Sequence, residues 1–404
     1  MRRPSFRSGA GLLMLLLVAG GIAATASAFS GWTVASSPSP ATYGSIVNAV
    51  AARSATDAWA VGVGEWATSN RTLAEHWNGS SWTVVPTPNP AGACQDGNIQ
   101  WTGNRLKAVA AVAANDAWAV GHTCYTAKTL VEHWNGAAWS IVASPSFTTG
   151  ADGVQNSLNG VAAVSSANAW AVGFHTAANG ALVTLVEHWN GTAWSVVASP
   201  SPSSTANVLN GVAATGPSDV WAVGYQNGAA RAPLIEHFNG TSWTVVATPP
   251  RPAGSVLNAV TALAPNNAWA VGSTPATSGA PLTLVEHWNG SAWSVVPSPN
   301  LSTTYGSENV LSGVAALAAN DVWAVGEFQN QSTNYHQQRT LTLHWNGSAW
   351  SVVASPTPGH TGQLVGVAAV PATGRVIAGG YYSQYDRNIY DGTYTAPRTL
   401  LLSG

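Results

Sequence analysis

The sequence predicts an all-β fold: a seven-bladed β-propeller built from four-stranded antiparallel blades. A long phrase, complete in residues 158–200, occurs six times and a seventh time in divergent form from residue 364 onward. Its Trp-Ala-Val-Gly segments are separated by 59, 52, 51, 48 and 54 residues. Repeats of about 50 residues without a helical pattern are typical of propellers. We therefore expect a single propeller domain over residues 29–404.

Each repeat divides into four short β runs, which predict the strands of one blade. In the fullest copy, the first run is the small, apolar segment 158–164, which suits the crowded axis of a propeller, and the second is the apolar segment 169–174. The third run, 184–189, and the fourth, 194–198, are rich in β-branched and aromatic residues. The repeats are expected near 47–88, 106–145, 158–200, 209–249, 257–298, 311–356 and 364–404, the last completed by 31–38.

The connections between these runs also have a recognisable chemistry. Pro- and Ser-rich stretches such as 200–202 follow the fourth runs, and Pro cannot continue a β ladder, so these stretches predict the crossings between blades. Asn-Gly joins the third and fourth runs in six copies, which predicts type I′ hairpin turns with two residues at positive φ. The six asparagines are Asn78, Asn135, Asn190, Asn239, Asn289 and Asn346.

The two ends of the chain predict how the ring closes. Residues 31–38 have the pattern of a fourth strand with no third strand before it. Residues 398–404 have the pattern of a third strand with no fourth strand after it. Pairing the two would complete the last blade and leave no open sheet edge at the seam.

The first 28 residues have the pattern of a secretory signal peptide. Arg2, Arg3 and Arg7 are followed by the apolar segment 12–22 and by Ala26-Ser-Ala28, a small-residue cleavage site. The apolar segment is short for a membrane span, and no later segment could cross a bilayer. We expect a secreted bacterial protein that is cleaved near Ala28 and then has no membrane span.

The charge of the mature chain narrows the choice of partners. Residues 29–404 contain 11 Lys and Arg against 16 Asp and Glu, a net charge of −5. A chain without a basic patch is a poor candidate for nucleic-acid binding. We expect no cofactor, a monomer, and a glycan or an extracellular or cell-surface protein as partner.

The two cysteines, Cys94 and Cys124, are expected to form a disulfide. Cys94 lies in the crossing before the second blade, and Cys124 lies between that blade's second and third strands. In a four-stranded meander both connections emerge on the same face, and a secreted protein meets an oxidising environment.

Comparing the repeats separates structural residues from candidate functional ones. Eighteen of the 20 Trp recur at equivalent positions, which indicates packing between blades rather than ligand contact; Trp66 and Trp101 are outside this pattern. A Glu-His-Trp phrase ends most third strands, and an Asp or Asn recurs between the first two strands. We interpret this His and Asp or Asn as a hydrogen bond that ties each blade together, since a buried His needs partners for its ring nitrogens.

The residues left over cluster in the loops of one face, the face that carries the two cysteines. Variable loops on a rigid scaffold are where binding usually occurs. The loops of the last two blades are rich in Tyr, Asn, Gln and Arg, which suit stacking and hydrogen bonding to sugars or peptides. The candidate ligand-binding residues are Tyr335, His336, Arg339, Tyr381, Tyr382, Tyr385, Arg387, Asn388 and Tyr390.

Motifs of known catalytic chemistry are absent from the sequence. There is no Gly-x-Ser-x-Gly nucleophile elbow and no His-Glu-x-x-His zinc motif. Asp386, Asp391 and Glu327 could supply the paired carboxylates of a glycan-cleaving enzyme. The first hypothesis is therefore a secreted, non-catalytic binding module, and the alternative is an extracellular glycan hydrolase or lyase that uses these three acids.

The order of the phrases resembles the kelch repeat, whose second strand ends in Gly-Gly and whose fourth strand opens on Trp. Ile377-Ala-Gly379-Gly380 keeps the double glycine, whereas the other copies have Val-Gly, as in Val172-Gly173. The resemblance covers residues 31–404 and implies a propeller that acts as a binding platform or, less often, as an oxidase of the galactose-oxidase type with copper. Cys124 beside Tyr125 does not reproduce the Tyr–Cys crosslink of those oxidases.

Overall fold

The computed structural model describes residues 31–66, 70–90, 103–123, 128–147, 155–301, 303, 306–330, 337–384 and 396–404. All regular structure in these residues is β, and no helix there is long and apolar enough to cross a membrane. Several sequence-based predictions fall outside these residues and stay predictions. They concern the signal segment 1–28, the pair Cys94 and Cys124, and Tyr335, His336, Tyr385, Asp386, Arg387, Asn388, Tyr390 and Asp391.

The described residues form 28 strands. The strands, in chain order, are β1 Thr33–Ala35, β2 Gly44–Ser54, β3 Asp57–Glu65, β4 Asn70–Trp77, β5 Trp82–Val84, β6 Arg105–Ala113, β7 Asp116–Thr123, β8 Lys128–Trp134, β9 Trp139–Ile141, β10 Asn156–Ser165, β11 Asn168–Thr176, β12 Leu182–Trp189, β13 Trp194–Val196, β14 Ala206–Gly216, β15 Asp219–Asn227, β16 Arg231–Phe238, β17 Trp243–Val245, β18 Val256–Ala264, β19 Asn267–Pro275, β20 Pro281–Trp288, β21 Trp293–Val295, β22 Glu308–Ala318, β23 Asp321–Asn330, β24 Gln337–Trp345, β25 Trp350–Val352, β26 Thr361–Val370, β27 Arg375–Ser383 and β28 Arg398–Ser403.

Within the described residues, hydrogen bonding groups these strands into six sheets, five of four strands and one of eight. The eight-stranded sheet is two four-stranded antiparallel meanders, β10 to β13 and β14 to β17, joined by one parallel pair, Leu182 with Ala206. The strand pairing therefore gives seven four-stranded meanders, which we call blades 1 to 7, starting with β2 to β5. The prediction of an all-β propeller with four-stranded antiparallel blades is confirmed.

The blades are arranged in a closed ring. The first strand of each blade packs against the first strand of the blades before and after it, in the order β2, β6, β10, β14, β18, β22, β26 and back to β2. The seam is closed by the chain ends, because β1 pairs antiparallel with β28 with Thr33 opposite Ser403. Blade 7 thus takes its outermost strand from Thr33–Ala35, as the sequence predicted.

The core of the propeller lies between neighbouring blades, where Trp side chains pack edge to face. Trp59 of blade 1 lies 5.0 Å from both Trp134 and Trp139 of blade 2, measured between ring centroids. The same arrangement recurs from blade 2 to blade 3, where Trp118 lies 5.2 Å from Trp194, edge to face. Edge-to-face aromatic pairs stabilise beyond the area they bury. The structural interpretation of the repeated Trp residues is therefore supported.

The glycine that ends each Trp-Ala-Val-Gly segment is required by close backbone packing. A Cβ at Gly173 would lie 1.8 Å from the carbonyl oxygen of Ser157 in the neighbouring strand, and a Cβ at Gly121 would lie 1.9 Å from that of Arg105. Such contacts are far inside van der Waals distance, so no other residue fits without moving the strand. The repeated Val-Gly is thus a requirement of the blade.

The Asn-Gly turns differ from the predicted type I′ geometry. The Gly residues have positive φ, for example 94° at Gly191, but the Asn residues do not. Trp189 pairs with Trp194, so the connection contains four residues rather than two. The Asn190 Oδ1 accepts hydrogen bonds from the backbone N–H groups of Thr192 and Ala193, both at 3.0 Å. The prediction of type I′ was wrong because the Asn side chain closes the turn itself.

Candidate functional site

The connections of the propeller emerge on two different faces. The turns between first and second strands and the Asn-Gly turns emerge on one, which we call the turn face. The connections between second and third strands and the crossings between blades emerge on the other, which we call the loop face. The predicted ligand-binding residues that the structure describes, Arg339, Tyr381 and Tyr382, lie near strand ends of the loop face.

The His strut predicted from the repeats is present near the turn face. His76 Nε2 lies 2.9 Å from Asp57 Oδ1, and His237 Nε2 lies 2.6 Å from Asp219 Oδ1. Blades 2, 5 and 6 have the equivalent bond. Five repetitions of one His–Asp or His–Asn pair, each beside a packed Trp ring, indicate a structural role.

A second repeated polar group lies on the axis, where the first strand of each blade carries a β-bulge. The register shifts at this point in all seven first strands. In four blades the bulge residue is an Asn whose side-chain Nδ2 donates to a Leu carbonyl of the next blade, as from Asn159 to Leu209 at 2.8 Å. The seven bulge residues are Asn48, Lys107, Asn159, Asn210, Asn258, Ser312 and Val365.

These bulge residues form part of the wall of a cavity on the axis. The cavity has a volume of about 430 Å³, and the first strands of blades 1, 2, 3, 4 and 7 contribute to its lining. This volume is within the range of about 300–1,000 Å³ that is usual for small-molecule sites. We call it the axial cavity; its lining residues are Asn48, Arg105, Lys107, Asn159, Phe174, Val208, Asn210, Tyr225 and Val365.

Next to the bulge residues, on the side of the loop face, lies a layer of cross-strand pairs that breaks the repeat, which we call the variable layer. The first strand of every blade has a Leu or Val at one position, and the second strand has a Gly at another. The residue before this Leu or Val pairs with the residue after this Gly. The Leu or Val and the Gly themselves recur in every blade, whereas these pairs differ. From blade 1 to blade 7 they are Ile46 with Val63, Arg105 with His122, Ser157 with Phe174, Val208 with Tyr225, Val256 with Ser273, Val310 with Glu327, and Gln363 with Tyr381.

The blade 2 side of the axial cavity is cationic. Arg105 and Lys107 are both half-buried on β6, and Lys107 Nζ donates to Asn159 Oδ1 at 3.1 Å. Burial, with the Arg105 charge, lowers the pKa of Lys107 to about 8. Burial also lowers the pKa of Arg105, while the charges of Glu65 and Tyr381 act in the opposite direction. Both groups therefore carry positive charge at neutral pH and below.

The histidine beside these cations is neutral. His122 is buried, and its Nδ1 lies 3.3 Å from Ser157 Oγ of blade 3. Burial, together with the charges of Lys107 and Arg105, lowers the pKa of His122 to about 3. It is therefore a neutral hydrogen-bonding group beside Arg105 at neutral pH and adds no charge there.

One acid, Glu327 of blade 6, belongs to the seven pairs of the variable layer. Glu327 is buried on β23, and burial together with the Glu308 charge raises its pKa to about 7. A carboxyl with that pKa is protonated in part at neutral pH and could donate a proton. Of the three acids predicted for the catalytic alternative, Glu327 is the one within the described residues.

The structure separates the predicted binding residues that it describes. Tyr381 belongs to the variable layer, and its hydroxyl donates to Gln363 Oε1 at 2.9 Å. Tyr382, the next residue, packs against the apolar cluster between blades 6 and 7. Arg339 pairs with Phe328 on the third strand of blade 6 and donates to Gln337 Oε1 at 2.9 Å. Tyr381 alone of these three belongs to the variable layer.

Sequence reasoning did not single out the cavity residues. The predicted binding site did not include Arg105, Lys107, Phe174 or Tyr225. The prediction relied on the long loops of the last two blades, whereas these four residues are on strands. The sequence nevertheless distinguishes these residues, because the other copies of the repeat have different residues at their positions. Arg105 precedes and Lys107 follows the recurring Leu, and Phe174 and Tyr225 follow the recurring Gly. Aligning the repeats residue by residue would have found them.

In the part of the chain that the structure describes, no group of three or more His, Cys, Asp or Glu side chains is arranged to hold a metal ion.

Comparisons with known proteins support the fold. No family model and no curated protein sequence matches the chain. Among solved structures, YCF48 from Cyanidioschyzon merolae is similar with a TM-score of 0.51 at 12% identity, over 93% of this chain and 98% of that one. A structure of YCF48 bound to D1 peptide has a TM-score of 0.50 at 12% identity, over 94% and 98% of the two chains.

A glycoside hydrolase structure, the GH74 enzyme of Niastella koreensis, has a TM-score of 0.52 at 13% identity. It aligns over 91% of this chain and 55% of the enzyme. At these identities the likeness concerns the backbone fold and carries no residue of a site across. The kelch-like assignment stays a prediction, and the conclusion that geometry and comparisons share is that the chain is a β-propeller.

Proposed function

We propose that the protein is a secreted, non-catalytic binding module that captures a glycan or an extracellular or cell-surface protein at its loop face, with the axial cavity at the centre of the contact. The observation that carries this proposal is the variable layer. Its seven cross-strand pairs differ from blade to blade, whereas the Leu or Val and the Gly directly beside them recur in every blade.

The chemistry of the cavity supports a binding role. Structural positions in a propeller are constrained by identical neighbours, so they converge on the same residue in every blade. Arg105, Phe174 and Tyr225 stand at positions where the residue changes from blade to blade. All three line one cavity. Aromatic walls with a few charged and amide groups are usual for small-molecule and glycan sites.

The structural neighbours are compatible with this proposal at the level of the fold. YCF48 has been solved with D1 peptide bound, so a propeller of similar backbone can capture a peptide. The GH74 enzyme shows that such a scaffold can also carry glycan chemistry. Binding and glycan-acting functions are therefore both compatible with the architecture, and the site must decide between them.

The second candidate function is an extracellular glycan hydrolase or lyase. Glu327 favours it, because a buried carboxyl with a pKa of about 7 is suited to general acid catalysis. Asp386 and Asp391 would be its predicted partners. Glu327→Gln and Asp386→Asn should then abolish turnover and leave glycan binding and thermal stability in place.

The test is a glycan-array and polysaccharide pull-down screen of residues 29–404, with product analysis of every retained ligand. We expect an intact ligand on the wild type and loss of capture by Tyr225→Ala. Leu263→Ala is the control, because Leu263 is exposed near the turn face and does not line the cavity. A ligand released in cleaved form would overturn the non-catalytic proposal in favour of the enzyme.

The predicted loop residues are tested in the same screen. Combined Tyr335→Ala and Tyr385→Ala substitutions should weaken capture without lowering the melting temperature. Unchanged capture would remove these loops from the site and leave the axial cavity as the contact. Secretion is tested separately by expressing the full chain in a bacterium with a secretory pathway and sequencing the exported protein, which we expect to begin near Phe29.

A further inference from the structure

We propose that the axial cavity binds an acidic sugar whose carboxylate is held by Arg105 and Lys107. This inference rests on the proposed function and names the ligand class for it. The argument has three parts: the cations of blade 2, the amide oxygens of the bulge residues, and the aromatic side chains of blades 3 and 4.

The cations are unusual for this chain. It has two lysines, Lys107 and Lys128, in a mature sequence with a net charge of −5, and Lys107 lines the cavity together with Arg105. The two side chains start two residues apart on β6 and are both half-buried, so each is placed where a like charge and low water access disfavour it. An anion between them would relieve both costs, and Arg and Lys suit carboxylates in different ways, as a fork and as a point charge.

The ammonium group of Lys107 has more N–H donors than its hydrogen bond to the protein requires. An ammonium group has three N–H donors, and the bond to Asn159 Oδ1 uses one of them. Asn159 is itself held in place, since its Nδ2 donates to Leu209 O at 2.8 Å and its Oδ1 also accepts from Ser157 Oγ at 3.0 Å. The ammonium is thus positioned before any ligand arrives, which lowers the entropic cost of binding.

The other charged and titratable groups around Arg105 do not remove the positive potential. Glu65 and Tyr381 act on Arg105, and His122 is neutral at neutral pH. The charge that acts on Lys107 is that of Arg105, which adds to the effect of burial. One acid faces two cations, so the blade 2 side of the cavity is positive overall.

Hydroxyl groups of a sugar would find acceptors on the bulge residues. Asn48 Nδ2 donates to Leu106 O at 2.7 Å, and Asn210 Nδ2 donates to Leu257 O at 2.9 Å. With Nδ2 bound to backbone, the amide presents Oδ1 as its remaining polar atom, an acceptor with two lone pairs. A polyol with many O–H donors matches such acceptors, whereas a purely anionic group such as a phosphate has no donor for them.

Two aromatic residues on one side of the cavity complete the match. Phe174 and Tyr225 line it from blades 3 and 4, and Arg231 stacks on the Tyr225 ring with its guanidinium carbon 4.6 Å from the ring centre. The stacking holds the ring in place as a preformed contact. An apolar ring face beside charged and amide groups is suited to a sugar, which has both C–H faces and hydroxyls.

The experiment measures the affinity of residues 29–404 for a digalacturonate, for its methyl ester, which lacks the charge, and for a peptide of glutamates. We expect the acid to bind at least about tenfold more tightly than the ester, because hydrogen bonds from Arg105 and Lys107 to a charged carboxylate are stronger than those to a neutral ester. Lys107→Met should remove that preference and leave ester binding unchanged. Lys128→Met, a matched change at an exposed lysine of the same blade, should have no effect.

Three results would overturn this inference. These are equal affinity for acid and ester, a preserved preference in both Lys107→Met and Arg105→Gln, and tight binding of the glutamate peptide without binding of the sugar acid. Thermal unfolding of each variant shows whether a lost affinity reflects a lost fold, and Arg375→Gln on the turn face controls for the change in net charge. If the inference fails and Tyr225→Ala still abolishes capture of a neutral ligand, the proposed binding function stands.

Discussion

At the scale of single residues, the five buried glutamates of the Glu-His-Trp phrases are the most unusual feature. Each is fully buried on a third strand, and burial raises the pKa to about 8 in Glu75, Glu132, Glu187 and Glu236 and to about 7 in Glu286. In blade 3, Glu187 pairs with Ala171 and Val196 of the two neighbouring strands. In blade 6 the residue at the same register, which pairs with Ala324 and Val352, is Leu343. An apolar side chain can therefore occupy the buried position that a glutamate fills in blades 1 to 5.

The raised pKa values predict that the propeller loses stability as pH rises. Between about 4.5 and 8 the folded state keeps a proton on Glu187 that the unfolded chain has released, so the free energy of unfolding falls across this window. Glu187→Gln should stabilise the protein at pH 8 by about 1.4 kcal/mol or more, the equivalent of one pKa unit, and change little at pH 4. Urea unfolding at the two pH values measures this.

Glu187→Leu, which copies blade 6, is the companion variant for that measurement. It should also reduce the pH dependence, since it removes the titrating group. A destabilisation at pH 8 by both variants would mean that the carboxylate has a partner that stabilises its charged form.

The His struts give a second prediction at this scale. Asp116→Ala should cost about 1–3 kcal/mol in the free energy of unfolding, because His133 Nε2 loses its partner at 2.9 Å. Blade 3 offers a natural control: Asn168 Oδ1 and His188 Nε2 are both buried without a partner, so Asn168→Ala should cost less. Chemical denaturation compares the two, and equal costs would show that the bond contributes nothing.

At the scale of the element, each blade is defined by a few positions that permit close strand packing. The second strand must come within van der Waals contact of the first at its Gly, and the bulge in the first strand directs one residue per blade to the axis. These positions were readable from the repeat, because identical neighbours demand identical residues. The geometry of the Asn-Gly turns could not be predicted from the repeat. Asn-Gly is compatible both with a type I′ turn and with the four-residue turn closed by the Asn side chain, which is the one that occurs.

Gly173→Ala tests the packing requirement. The added methyl would lie 1.8 Å from Ser157 O, so we expect a loss of at least about 2 kcal/mol in the free energy of unfolding. Gly216→Ala is the matched control, because nothing lies within 4 Å of a Cβ at that position. If both variants are equally stable in urea, the strands can separate at Gly173 without cost.

At the scale of the whole molecule, the ring depends on two distant segments of chain. Trp32, the residue before β1, is buried in the cluster between blades 6 and 7, and its ring centroid lies 5.5 Å from that of Trp323. Without β1, the strand β28 would become an open edge that carries Leu401 and Leu402. Closure therefore protects an apolar edge and joins the last blade to the first.

This predicts that a chain starting at residue 39 is much less stable than one starting at residue 29. The truncated protein should melt at lower temperature and aggregate through the exposed edge, and Trp32→Ala in the longer chain should cost about 3–5 kcal/mol. Thermal unfolding with light scattering tests both. A truncated chain with unchanged melting temperature would show that the seam contributes no stability.

The sequence by itself determined the architecture and the structural residues. The period of the Trp-Ala-Val-Gly segments predicted the blades, and the unmatched strands at residues 31–38 and 398–404 predicted the closure. This was possible because each blade is built from contacts among residues close in sequence and repeated with the same spacing.

Only the tertiary structure decided which unrepeated residues meet. Arg105 and Tyr225 are far apart in sequence and lie in different blades, yet both line the axial cavity because the innermost strands converge on one axis. Tyr381 and Tyr382 are adjacent in sequence, yet one belongs to the variable layer and the other packs between blades. Alternation along a strand and curvature of the ring set these placements, and the curvature brings together residues of blades that are distant in sequence.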